Sequence, residues 1–398
     1  MITPRILVLG TLDTKGEEFA LLRDELRSLA CEPIVADLGI MGTPLFEGDI
    51  PREVVLQKGG YSLEDLQSGR RRGEAMEAAI AGGIAVAKEL VNTSRIDGVI
   101  AMGGGSGTTI GTTIMQELPL GIPKLVVTTL STLHPWVKGT DVVVLRTLVD
   151  LVGLNAITRL HIQQAAGAIA GMSRRAATGA EVTKSVLITC LGVTTPGVMQ
   201  LRELLLARGM DVLVLHRRTH NVPLLVNGGF VEAIVDFTPN ELTDSVVHPR
   251  QSDPDDRLRI ARLAGIPMVV SAGALDMHIH FGPVQAVPSE MLGRKQVVHS
   301  RDALLINTSA DEQARLGSVL GKQLAGSVGP VAAVVPMGGF SMWDAAGREF
   351  DDPASREAFA TALEAEAPVG SVTRVDAHIN SQQYAAVVCQ TLMHLLDR

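Results

Sequence analysis

The chain has 398 residues, 46% hydrophobic and 20% charged, with a formal net charge of −8 and a pI near 5.7. That length supports two lobes of about 200 residues, each able to bury a core of its own. The acidic balance leaves no basic surplus to hold nucleic acid or an anionic membrane. Aromatic residues at 3% also leave too few rings for the stacking platforms of a single-strand site.

In chain order, Arg5 to Gly10 reads as a buried strand, Thr11 to Gly16 as a turn, Glu17 to Ser28 as a helix and Pro33 to Asp37 as a second strand, a βαβ unit. Arg5 and the short run after it lack the basic region, long apolar core and cleavage site of a secretory signal. Cys31, Cys190 and Cys389 have the spacing of neither a disulfide framework nor a zinc ribbon. A reducing, cytoplasmic location is therefore expected. Gly39 to Tyr61, rich in Gly and Pro, reads as a long loop before a helix from Arg70 to about Asn92. Asp97 to Met102 is the next strand, followed by the run Gly103 to Thr109, a helix and a strand at Lys124 to Thr128.

Helical sequence rich in Ala and Gly fills 153–172, and Ser173 to Gly179 reads as a linker, which divides the chain into lobes 1–178 and 179–398. The opening unit then recurs: strand Lys184 to Leu191, turn Gly192 to Gly197, a helix to Arg208 and strand Asp211 to Leu215. Further strands are expected at Ala233–Phe237, Pro267–Ser271, Ala303–Asn307, Val331–Pro336 and Val372–Asp376, with a last helix Ser381–Leu396. Apolar runs such as Val331 to Val335 are far shorter than the roughly 20 residues of a membrane span. Continuous apolar strands alternating with amphipathic helices predict an α/β chain of two Rossmann-like lobes. Each is a mainly parallel sheet with helices on both faces, and the ligand cleft lies between the lobes.

The strand-to-helix turns carry the candidate chemistry. Gly103, Gly104, Gly105, Ser106, Gly107, Thr108 and Thr109 leave a strand and open a helix, where free amides and the positive helix end attract phosphate or carboxylate. The run is neither a Walker A loop nor a dinucleotide fingerprint. Thr11, Asp13 and Lys15 occupy the equivalent turn after the first strand. Asp13 is read either as a Mg²⁺ or ribose contact or as a helix cap, and Lys15 as a phosphate contact. In the second lobe Thr194 and Thr195 precede a helix in the same way, and Ser341 and Asp344 follow another strand as a second anion cradle or a plain turn. His216, Arg217 and Arg218 form a cationic cluster suited to a carboxylate, with His278 or His299 as acid/base. Asp276, His278 and His280 share one side of an extended strand, a spacing also found in metal sites. No partner motif accompanies them, and no metal is assigned.

Taken in order, several motifs resemble the family of ATP-binding-domain proteins named after the tomato tobamovirus-resistance protein. They are Gly10 to Glu17, Gly103 to Thr109, Asp150 to Asn155, Ala165 to Met172, Gly192 to Pro196 and Asp376-Ala377-His378-Ile379-Asn380. The likeness runs nearly end to end, and it implies two Rossmann-like lobes, ATP binding and a homodimer; Mg²⁺ is a separate expectation that goes with the nucleotide reading of the Thr11–Lys15 turn. Ser131 and Thr132 open a loop that the resemblance puts on the cofactor, but the run to Gly139 is shorter than the family's. His216 to Val222 replaces a glycine-rich run, and Asp276 to Gly282 replaces an Asn-Phe-Gly arrangement. Those changes open a second reading, a hydrolase or lyase acting on a small oxo acid with His as acid/base and Arg as anion binder. A third is a regulatory, partner-binding module without catalysis.

Overall fold

The computed structural model describes residues 3–69, 72–132, 137–176, 183–217, 219–247, 257–282, 287 and 289–397. The chain divides into two compact units, Met1–Glu181 and Val182–Arg398.

In the N-terminal unit the strands are β1 (Arg5–Gly10), β2 (Glu32–Asp37), β3 (Gly98–Gly103), β4 (Lys124–Thr128) and β5 (Val143–Arg146), all parallel in the order β2-β1-β3-β4-β5. Side chains alternate across the sheet, and both sides are filled. Ile6, Val8, Ile100 and Met102 pack with Phe19, Leu22 and Leu26 of the helix Gly16–Ser28 and with Ile162 and Ile169 of Ala156–Ala176. Leu7, Leu9, Val99 and Ala101 pack on the other side with Ala79, Val86 and Leu90 of Arg72–Asn92 and Ile114 of Gly105–Gln116. Two buried faces explain why these strands read as unbroken apolar runs.

The C-terminal unit winds its larger sheet the same way. Its strands are β6 (Ser185–Cys190), β7 (Asp211–His216), β8 (Val231–Asp236) and β9 (Met268–Val270), then β10 (Met277–Phe281), β11 (Gln296–Ser300), β12 (Ala303–Asn307), β13 (Val331–Pro336) and β14 (Val372–Val375). Six of them form a parallel sheet in the order β14-β13-β9-β8-β6-β7. Read from β7, this repeats the N-terminal order with one strand added, so the two units share a topology as well as their opening motif.

Three expectations change. Ala303–Asn307 does not join the parallel sheet. It is the middle of an antiparallel group β10-β12-β11, because Met277, Ile279 and Leu305 bury against Leu191, Val193 and Phe350 in a small separate core. The long loop 39–61 contains a helix, Arg52–Lys58, entered at Pro51 and held by buried Val55 and Leu56. Residues 173–176, read as linker, continue the helix Ala156–Ala176, with Ser173 fully buried. Among the described residues no helix is long and apolar enough to cross a membrane.

Candidate functional site

In a sheet of this order the chain departs in opposite directions from β1 and β3, and the crevice at their carboxyl ends is the switch point where ligands bind. The turn after β3 lies there. Gly103 ends the strand, Gly104 is the cap residue, and the helix starts at Gly105. A Cβ on Gly103 would lie 2.8 Å from the Gly107 Cα, so the turn is that tight only with glycine. Thr108 N–H donates to the Gly104 carbonyl, whereas the amides of Gly105, Ser106 and Gly107 have no acceptor among the described residues. Gly105 and Ser106 are exposed, and nothing stands within 4 Å of where a Gly105 Cβ would be.

The surrounding hydroxyls divide into two groups. Thr108, expected to face a ligand, is fully buried, with its Oγ1 2.7 Å from Thr128 Oγ1. It fastens the helix start to β4. Thr109 Oγ1 donates to the Gly105 carbonyl at 2.9 Å. Ser106, Ser131 and Thr132 remain exposed.

The turn after β1 is committed to structure. Asp13 does not cap the helix. Its Oδ2 accepts from the amides of Met41 and Gly42, both at 3.0 Å, while Oδ1 is buried where a Gly39 Cβ would come within 2.4 Å. A carboxylate closed in this way does not fit Mg²⁺ coordination. Lys15 Nζ donates to the Leu151 carbonyl and is not offered to phosphate. Thr11 bonds Thr14 through the hydroxyls at 2.9 Å. Asp37, ending β2, draws this turn and the next loop together by accepting from the amides of Leu12 at 3.2 Å and Gly39 at 2.9 Å. Burial raises its pKa.

The C-terminal switch point, between β6 and β8, repeats the hydroxyl clasp: buried Thr194 Oγ1 meets Thr238 Oγ1 at 2.8 Å. Thr195 is exposed, and its Oγ1 donates to the Leu191 carbonyl at 3.2 Å. Asp236, ending β8, takes two bonds from Arg257 and one from Thr189 Oγ1 at 2.8 Å. Asn380, in one of the motifs quoted above, accepts from Gly197 N–H at 3.1 Å and donates to the Val193 carbonyl at 3.0 Å, so that motif locks the turn after β6.

Of the cationic cluster expected at 216–218, His216 and Arg217 lie within the described residues. His216 is exposed at the end of edge strand β7, and Arg218 lies outside the described residues. Arg217 instead donates to Asp244 Oδ2 at 2.9 Å, and the other oxygen of Asp244 lies 3.4 Å from His278 Nδ1. Asp244 therefore brings two expected site residues together and already neutralises the arginine. His299 is exposed on the outer strand β11. Ser341 and Asp276 do meet, but not as an anion cradle: the serine hydroxyl donates to Asp276 Oδ2 at 2.6 Å beside a second buried acid, Asp344, which pairs with Arg356. Among the described residues no group of three or more His, Cys, Asp or Glu is placed to hold a metal ion.

Burial, together with the Asp344 charge, pushes the Asp276 pKa well above its ordinary 3.8. Such an acid binds its proton more tightly folded than unfolded. Stability is therefore full below the ordinary value and is lost as pH rises through the raised folded value. Urea midpoints of the C-terminal unit are expected to fall across that interval, and Asp276→Asn should flatten the slope. Equal slopes in the two proteins would assign the dependence to other groups, Asp344 first.

Sequence reading missed Asp236, Asp244, Arg257, Gln313 and Arg356. Only Asp236 carried a signal, a charge at the end of an apolar strand; the others are reached through the fold.

Comparison with known proteins places the whole chain. Family models for the N-terminal and C-terminal domains of an uncharacterised protein family, UPF0261, match residues 4–178 and 183–396. A UPF0261 protein of Clostridium tetani is 33% identical over 402 residues, covering 99% of each chain. One of Rhizobium meliloti is 33% identical over 96% of each. The ToMV susceptible protein tm-1 of Solanum lycopersicum is 28% identical over 88% of this chain and 50% of its own length. A solved UDP-GlcNAc 2-epimerase of Methanocaldococcus jannaschii aligns over 100% of this chain and 93% of its own at 9% identity, with a TM-score of 0.22, which adds nothing to the fold read from the strands. With both of its domains matched in order, this chain belongs to the UPF0261 family.

Proposed function

We propose that the chain binds ATP, with its phosphates at the start of the helix Gly105–Gln116. The observation that supports this reading is the trio of amides at Gly105, Ser106 and Gly107, without acceptors among the described residues at the switch point of a doubly wound sheet, with Gly105 and Ser106 exposed and Gly107 half-buried. The Ser106 hydroxyl adds a donor, and the absence of a Cβ at Gly105 lets phosphate oxygens approach the backbone. The motif resemblance supplies the identity of the nucleotide. Any Mg²⁺ is carried on the phosphates and water, since Asp13 is closed off and Lys15 is engaged elsewhere.

ATP with Mg²⁺ at about 100 times its Kd is expected to stabilise the N-terminal unit by roughly 2.7 kcal/mol. Thermal shift against adenosine alone checks it, since a phosphate site gives no response to the nucleoside. Identical responses, or none to either, would refute the reading. The oxo-acid reading is less well supported, because Arg217 is already paired with Asp244 and because His216 and His299 stand exposed on edge strands.

A further inference from the structure

Lys15, the cation expected beside the phosphates, is engaged by the Leu151 carbonyl, and the sheet itself offers another. Gly103 of β3 pairs with Thr128 of β4, and Thr128 pairs with Arg146 of β5, so the three form one row across the carboxyl end of the sheet. Residues in register on neighbouring strands share a face. Here it is the face covered by the helix Gly105–Gln116. Val126 and Val144, two residues earlier on their strands, lie in one apolar layer with Ile110 and Ile114 of that helix. The middle member of the row fixes the placement, because Thr128 Oγ1 lies 2.7 Å from Thr108 Oγ1 in the first turn of the helix.

Arg146 therefore stands one strand beyond the threonine that touches the helix start. Two strand spacings, roughly 9–10 Å, separate its backbone from Gly103, a gap that an extended arginine side chain and one phosphate group fill together. Arg146 is exposed, and it has no hydrogen-bond or ion-pair partner among the described residues. Arg5, Arg52 and Lys124 of the same unit are held by Asp97, by the Gly42 carbonyl and by Asp141. An unpaired arginine on a surface is commonplace. What distinguishes Arg146 is its row and its face, which it shares with the turn whose amides also lack acceptors.

We propose that Arg146 is the phosphate-pairing cation of the nucleotide site and that it selects for a polyphosphate chain. The amides of Gly105, Ser106 and Gly107 hold one phosphate, and the Arg146 guanidinium pairs with the next. This rests on the nucleotide reading above and adds to it a preference for ATP and ADP over AMP. The planar fork of a guanidinium matches two oxygens of one phosphate, whereas a lysine ammonium acts as a point charge. A monophosphate takes the amides alone and leaves Arg146 in water.

Calorimetric titration of ATP, ADP and AMP, each with Mg²⁺, into the full-length wild-type protein, Arg146→Gln and Arg146→Lys tests the proposal. The position is exposed, so both variants are expected to fold, and thermal midpoints check that they do. Wild type is expected to bind ATP and ADP at least about tenfold more tightly than AMP, and Arg146→Gln to weaken ATP and ADP about tenfold while leaving AMP unchanged. Arg146→Lys should fall between the two, since it keeps the charge and loses the fork. A wild-type protein that binds none of the three refutes the nucleotide reading and this proposal with it. Native ATP affinity in folded Arg146→Gln, beside a wild type that binds ATP, overturns the role of Arg146 alone. So does an equal loss for ATP and AMP, which is what a general electrostatic or structural effect gives.

Discussion

Arg257→Ala is expected to cost the C-terminal unit about 3–5 kcal/mol, because it strands a buried carboxylate. The Asp236 side chain is 1% exposed and that of Arg257 6%, and the pair is bidentate. Thr189 Oγ1 also donates to Asp236 and in turn accepts from the Thr238 amide at 2.9 Å, so the carboxylate joins the ends of β6 and β8. The guanidinium reaches further, with Nε 3.4 Å from Glu241 Oε2. Removing it leaves Asp236 either ionised without a counter-charge or protonated at neutral pH, and both penalise folding. Asp236→Asn in the Arg257→Ala background should recover part of the loss by removing the stranded charge, a sign of coupling that two independent contacts would not give. Urea unfolding followed by Trp343 fluorescence, in a Trp136→Phe background, reads the C-terminal unit alone. A loss below about 1 kcal/mol would show that the pair is solvated and that the switch point is more open than its burial indicates.

The contrast between that ion pair and the glycine turn explains what was legible in the sequence. Strands such as Val99-Ile100-Ala101-Met102 read correctly because both faces of a parallel sheet are covered, which forces every position to be apolar. The strand-to-helix turn at Gly103–Gly107 was legible as local structure because strand, tight turn and helix start lie within a few residues. The buried acid cluster had no such signature. Asp276 and Ser341 are 65 positions apart and meet only because β9 and β13 are neighbours, while Arg356 arrives on a helix whose sequence gives no hint of an inward charge. Thr108 and Thr194 illustrate the converse error. A hydroxyl beside a glycine turn looks like a ligand contact, yet at both positions helix geometry turns it inward to bond a threonine from a neighbouring segment. Lys15 is similar: a long cation in a loop finds a backbone carbonyl as readily as a phosphate.

Gly105→Asp separates the two roles of the helix start, because it should move stability and ATP affinity in opposite directions. Gly105 is the first helical residue and has open space around its missing side chain, so aspartate enters without a clash. Replacing glycine with aspartate contributes only about 0.1–0.3 kcal/mol of helix propensity, and with alanine up to about 0.5–1 kcal/mol. A negative charge on the first turn contributes a further 0.3–1 kcal/mol or so by facing the positive helix end. The same charge occupies the position proposed for phosphate, where repulsion and lost access to the amides should weaken ATP about 100-fold, roughly 2.7 kcal/mol. Gly105→Ala is the control for bulk: it takes the propensity gain without the charge and should bind ATP more tightly than the aspartate variant. Calorimetric titration and thermal unfolding measure the two effects on the same samples. If Gly105→Asp is stabilised and still binds ATP with native affinity, the amides of this helix do not hold the phosphates, and the nucleotide reading fails at the residues on which it rests.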